Sequence, residues 1–179
     1  MKKYFGGLLA VCAIVMLVPG TALATHSNGQ GPDKDFQNGA YKTNCPTPFG
    51  SFPCHVHVAA QGFSATGTGV PAKGNWWLDI FTGGFLGLPD PVSLSGEVVC
   101  FTAIGNSGWV RQRIDQSNTG LAPPGFTIIG RAVDNGEGSN DPEDESTGFL
   151  APPSAPTCPP IPISTTPISQ GNVVIHDGI

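Results

Sequence analysis

From Phe36 onward the chain alternates apolar and polar positions with a period of two, the repeat of a half-buried strand. His55-Val56-His57-Val58-Ala59-Ala60 alternates cleanly. In Asn75 to Thr82, Trp76, Leu78 and Ile80 share one face, and Trp77, Asp79 and Phe81 share the other. Val92 to Ile104 is the longest run. Gly96 within it predicts a bulge, beyond which Val98, Cys100, Thr102 and Ile104 point one way. Gly105-Asn106-Ser107-Gly108 predicts a four-residue turn into Trp109 to Asp115, making a hairpin. Pro123-Pro124-Gly125 opens Phe126 to Val133, Asp134-Asn135-Gly136 closes it, and Val173 to His176 forms a short last strand. No ten-residue stretch of the chain after residue 24 carries a 3.6-residue repeat. These runs predict an all-β fold, a small antiparallel sandwich or barrel of six or seven strands. Its core is expected to include Trp76, Leu78, Ile80, Val98, Ile104, Phe126 and Ile128.

The first 24 residues follow another logic. Lys2 and Lys3 precede an apolar run from Leu8 to Val18, then Pro19-Gly20 and the small-x-small site Ala22-Leu23-Ala24. That is the pattern of a secretory signal, too short to anchor across a hydrocarbon core of about 30 Å. Cleavage would leave Thr25 as the first residue, with no Cys beside the cut to carry a lipid. The expected organisation is a signal at residues 1–24, a mobile Gly-rich tail at 25–35, and one β-domain at 36–179. Within that domain the segment 151–167, with seven prolines, should run extended over the surface. The expected location is extracytoplasmic, with no integral membrane segment after cleavage.

Charge narrows the partners. Residues 25–179 keep six Lys and Arg against 13 Asp and Glu, a net charge of −7 with His neutral. Nucleic acid and anionic membrane surfaces are disfavoured, because both are held mainly by clustered Lys and Arg. Cys45, Cys54, Cys100 and Cys158 remain after cleavage, an even number for an oxidising compartment. Three pairings are open. The favoured one joins Cys45 to Cys54 across a Pro-rich loop and Cys100 to Cys158, pinning the Pro-rich segment to a central strand. Zinc ribbons need C-x₂-C pairs, and the chain has none.

Three sets of residues could carry a site. His55 and His57 present two imidazoles on one strand face, and His176 with Asp177 could complete a tetrahedral metal set. The plain alternative is ordinary strand alternation. The acidic run from Asp134 to Glu145 has the first-to-twelfth spacing of a calcium loop, but Gly136, Gly138 and Ser139 fall where ligands and the turn glycine belong. A solvated loop is the alternative there. Trp77, Asp79 and Phe81, with Trp109, Arg111 and Arg113, offer mixed aromatic and polar faces suited to sugar rings, against the alternative of ordinary packing. Catalytic signatures are missing: there is no G-x-S-x-G elbow and no H-E-x-x-H helix.

Three runs, in this order, carry a resemblance: Gly96-Glu97-Val98-Val99-Cys100-Phe101-Thr102-Ala103-Ile104-Gly105-Asn106, Val133-Asp134-Asn135-Gly136-Glu137 and Pro167-Ile168-Ser169-Gln170-Gly171-Asn172-Val173-Val174-Ile175-His176-Asp177. Together with His57-Val58-Ala59-Ala60 they resemble an uncharacterised group of small secreted bacterial proteins of actinobacterial type. The resemblance implies a single exported β-domain and assigns no catalytic residue or cofactor. The sequence therefore points to a non-catalytic protein that binds or builds at the cell surface or in the medium. The sequence leaves the partner open, with a glycan or cell-wall component as one candidate class. A metal-binding protein is the alternative, and a hydrolase without a recognisable motif comes third.

Overall fold

The structure is a computed structural model and describes residues 35–62, 72–137, 140–153, 158 and 160–178. The expected signal and nearly all of the expected tail lie outside them. The strands are β1 Asp35–Thr47, β2 Gly50–Gly62, β3 Lys73–Ile80, β4 Val92–Ile104, β5 Ser107–Ser117, β6 Thr127–Val133, β7 Glu145–Ala151, β8 Thr166–Pro167 and β9 Gln170–His176. They form one antiparallel sheet in the order β8-β7-β6-β5-β4-β3-β2-β1-β9. All-β is therefore right, but the described residues form nine strands rather than six or seven, and the sheet curls on itself instead of splitting into two. Among the described residues no helix is long and apolar enough to cross a membrane.

Alternation explains β2 to β6. Val58, Trp76, Leu78, Leu94, Val110, Ile114 and Ile128 point inward and are buried together. The β4–β5 ladder shifts register between Ser95 and Gly96, as Gly96 predicted. The shift frees the Arg113 carbonyl, which accepts the Trp76 indole N–H at 3.1 Å. A second shift between Val98 and Cys100 was not predicted, and it reverses the face of everything after it. Phe101 and Ala103 turn inward and are buried, while Ile104 is 51% exposed and leaves the expected core. Phe126 is only half-buried at the core's edge. The hairpin turn is two residues, since Ile104 already pairs with Ser107.

The strands that periodicity missed are β1, β7 and β8. The inward residues of β1 are Asp35, Gln37, Gly39, Tyr41 and Thr43, polar or small apart from the aromatic ring of Tyr41. Asp35, assigned to the tail, is fully buried. Its carboxylate accepts the Ala103 amide at 3.2 Å and the Gly178 amide at 3.0 Å, tying β1 to β4 and to the C-terminus across one end of the curl. Both disulfides join the favoured partners, Cys45 with Cys54 and Cys100 with Cys158, each with Cα atoms 5.8 Å apart.

Candidate functional site

The curl encloses a cavity of about 570 Å³. One wall, from β2 to β5, carries large apolar side chains: Val56, Trp76, Leu78, Ile80, Val92 and Leu94. The facing wall, from β1, β6 and β7, carries Thr43, Gly130, Ala132, Ser146 and Gly148. Small side chains on one wall opposite large ones on the other leave the interior unfilled, where a core would normally pack to crystal-like density.

A few polar groups interrupt the carbon lining. Tyr41 is buried on β1, with the Ser146 side chain of β7 beside its hydroxyl. Burial pushes the Tyr41 pKa up to about 12, the Ser146 side chain pulling it back in part, so the phenol stays neutral. Gln112 and Gln37 also line the space. Gln37 is 2% exposed, and its Oε1 has no hydrogen-bond partner among the described residues. It lies at the closed end, where a side chain on Gly108 would strike Gln37 Oε1 and the Phe101 ring. A buried acceptor without a donor costs roughly 1–3 kcal/mol unless something pairs with it.

The cavity opens at the other end, among the β1–β2 turn, the β3–β4 loop and the β5–β6 loop. Pro48, Phe49, Thr82, Leu88, Thr119 and Leu121 line it there. The lining also includes Asn44 on β1 and Phe149 on β7, outward positions on the two strands flanking the seam of the curl. The seam itself is closed lower down, without a ladder. Thr43 Oγ1 donates to the Pro167 carbonyl at 2.9 Å, and the Ser169 amide donates to the Lys42 carbonyl at 2.8 Å.

The acidic run completes that seam. β9 pairs with β1 on one side only, which leaves amides on its free edge. Asp144 Oδ2 accepts the Val173 amide and Asp134 Oδ2 accepts the Ile175 amide, both at 3.0 Å. Asp144 Oδ1 accepts the Asn135 amide at 2.8 Å, and Asp134 Oδ1 the Gly136 amide at 3.0 Å. Glu145 accepts the Thr165 hydroxyl. The two ends of the expected calcium loop thus serve backbone amides and a hydroxyl. Burial raises the Asp144 pKa above its ordinary value, partly offset by its two amide bonds.

The histidines are not gathered into a metal set. His55 and His57 lie on the outer face of β2, against Phe81 at 4.7 Å and stacked with Trp77 at 5.9 Å. His176 stacks on Phe36 at 5.2 Å, two strands away on β9. Asp177 accepts the Gly105 amide at 2.7 Å. Among the described residues no three His, Cys, Asp or Glu converge on a metal position. Period-two alternation put both imidazoles on one face correctly, but sequence could not show that aromatic rings occupy the space beside them.

The aromatic faces fare differently from each other. Trp77 is 41% exposed, and with Asp79, Ser93, Ser95, Gln116 and Asn118 it lines a shallow outer groove. Asp79 Oδ1 accepts the Ser93 hydroxyl at 2.6 Å. Phe81 sits half-buried against His55 instead of facing that groove. Trp109 was expected to face a ligand and faces the chain itself. Its indole N–H donates to the Ile161 carbonyl at 3.0 Å, and the Arg131 guanidinium lies 5.3 Å over its ring while donating to the Ile163 carbonyl. The Pro-rich segment has few amides for a ladder, so its carbonyls are met by these outward side chains. Arg111 lies half-buried between Cys100 and Ile129 in the same outward row. Arg113 is held by Glu97 at 3.0 Å and Asp115 at 2.7 Å, on the exposed surface. Trp77 and Trp109 are opposite Ser95 and Thr102 on β4, seven positions and about 20 Å apart. The two halves of the expected face are separate places.

No family model matches the chain, nor does any curated protein or solved structure.

Proposed function

We propose that this protein is an exported, non-catalytic binding protein that holds one apolar small molecule inside its curled sheet. The observation that carries the reading is the 570 Å³ cavity, walled mainly by carbon. Ligand pockets have this size and this lining, apolar with few polar groups that fix orientation. A curled sheet of about eight strands has room for one small ligand. The carbon lining is interrupted by the side chains of Gln37, Gln112 and Tyr41, so the fitting ligand has a hydrocarbon body and few polar groups. Tyr41, neutral by burial, adds no charge that would demand an ionic ligand.

Titration with N-phenyl-1-naphthylamine, an uncharged fluorescent probe, tests the reading. Saturable 1:1 enhancement is expected, with displacement by a long-chain primary alcohol better than by the alkane of equal length. Enhancement that never saturates overturns the reading.

The outer groove supports a second reading. An exposed indole beside a carboxylate can stack on a sugar ring and bond its hydroxyls. It ranks below the first because the groove is shallow and Trp77 is the single aromatic side chain lining it.

A further inference from the structure

The molecule is chemically polarised from end to end. Residues 43–54 and 116–126 contain no charged side chain, residues 80–91 contain only Asp90, and residues 148–166 contain none. The first three stretches and residues Gly148 to Leu150 of the last surround the cavity's opening. At the closed end, six acids crowd into residues 134–145, joined by Asp35 and Asp177. The exposed apolar residues are polarised the other way. Among the described residues, eight large hydrophobic side chains are exposed, and six of them stand at the open end: Phe49, Phe85, Leu86, Leu121, Phe149 and Leu150.

This rim is held out by local structure. Phe85 packs against Phe49 at 6.2 Å and Phe52 at 5.7 Å, joining the β1–β2 turn to the β3–β4 loop. Leu86, at the tip of the short 3-10 turn Phe85–Gly87, is 70% exposed with φ 53°. A leucine in the left-handed region is strained, and here the strain presents an apolar side chain to the outside instead of burying it. Exposed apolar residues gathered in one patch mark an interaction surface.

We infer that the open end docks on a neutral lipid surface, so that an apolar ligand passes between bilayer and cavity without crossing water. The inference rests on the reading of the cavity as an apolar-ligand site. Three observations select lipid over a protein partner. The patch rings the opening of a cavity whose own lining is apolar. Its loops offer almost no charge for a partner to pair with. The acids at the far end turn that end away from any anionic surface and leave the uncharged end to meet the bilayer. Insertion of a few Phe and Leu side chains is how an uncharged patch holds an interface.

Co-flotation of the full chain with phosphatidylcholine vesicles tests this. Wild type and variants must carry the same N-terminus, so that differences report only the rim. Binding to phosphatidylcholine is expected, with weaker binding when phosphatidylglycerol is mixed in. Phe85→Asp with Leu86→Asp should reduce vesicle binding more than about tenfold. Neither residue lines the cavity, so uptake of N-phenyl-1-naphthylamine should be unchanged, which also shows that the variant folds. Probe uptake without vesicle binding by the wild type would overturn the docking inference and leave the cavity reading standing. Vesicle binding that survives both substitutions would overturn it too. So would a concentration-dependent dimer, seen by sedimentation, that the same substitutions dissociate while the wild type ignores vesicles. Absence of saturable probe uptake in the wild type would instead remove the cavity reading beneath it.

Discussion

The two walls of the cavity are built from the same kind of strand and obey different rules. From β2 to β5 the inward positions are mostly large and apolar, and packing holds the wall together. On β1, β6 and β7 they are mostly small or polar, and hydrogen bonds across the seam hold it. A sheet with two walls of the first kind would fill its interior and be a core. A sheet with two walls of the second kind would lack the apolar burial to fold. The mixture yields a stable shell around a space. The stability of the protein should therefore sit in one wall and the seam, and its binding capacity in the gap between them.

Truncation should expose that asymmetry most strongly. Trp76→Ala removes the largest inward side chain and its bond to the Arg113 carbonyl, and should cost about 3–5 kcal/mol in urea unfolding. Thr43→Ala, on the other wall, removes the hydroxyl that bonds the Pro167 carbonyl and the Thr166 hydroxyl and should cost about 1–2 kcal/mol. Equal costs would mean that the walls do not differ.

The disulfides come next. Cys100–Cys158 closes a separation of 58 residues and Cys45–Cys54 one of 9. On loop entropy alone, removing each pair by Ser should cost about 4 and about 3 kcal/mol respectively. A larger loss from the short loop would show that its hairpin, not chain entropy, sets its worth.

The seam should respond to its acids. Asp144→Ala leaves the Val173 and Asn135 amides without their acceptor and should cost about 2–4 kcal/mol. Adding calcium should not change that loss. A calcium-dependent rise in melting temperature in the wild type, absent from Asp144→Ala, would return the run to a metal role.

A smaller effect follows from the raised pKa of Asp144. A carboxyl whose folded value lies above its unfolded value contributes stability that is complete in acid and is lost as pH rises through the folded value. In Asp144→Asn that contribution is gone. The stability of wild type relative to Asp144→Asn should therefore be greater in acid than at neutral pH. Urea midpoints for both proteins at the two pH values check the sign.

The legible part of the fold is the apolar wall. Trp76, Leu78 and Ile80, then Val92 and Leu94, declare their faces because hydrophobicity and direction coincide there. β1 and β7 stayed hidden because their inward residues, from Gln37 and Gly39 to Ser146 and Gly148, carry no apolar period to read. The second bulge in β4 also left no mark, so Ile104 was assigned to the wrong face. The acids read as a calcium loop because their partners, Val173 and Ile175, lie 29 and 41 positions away. The cavity did leave one signal. Gly130, Ala132, Ser146 and Gly148 are small residues at period two on neighbouring strands. That pattern makes sense only if the opposite wall does not reach them.

The central claim is that the space between the walls is the binding site, and Val56→Trp tests it most directly. Val56 faces the cavity from β2 and is only half-buried, so an indole there can occupy the space without displacing the core. The account predicts that wild type binds N-phenyl-1-naphthylamine saturably at 1:1. Val56→Trp should lose that binding while its unfolding free energy changes by no more than about 1 kcal/mol. Undiminished probe binding in a folded Val56→Trp protein would contradict the account.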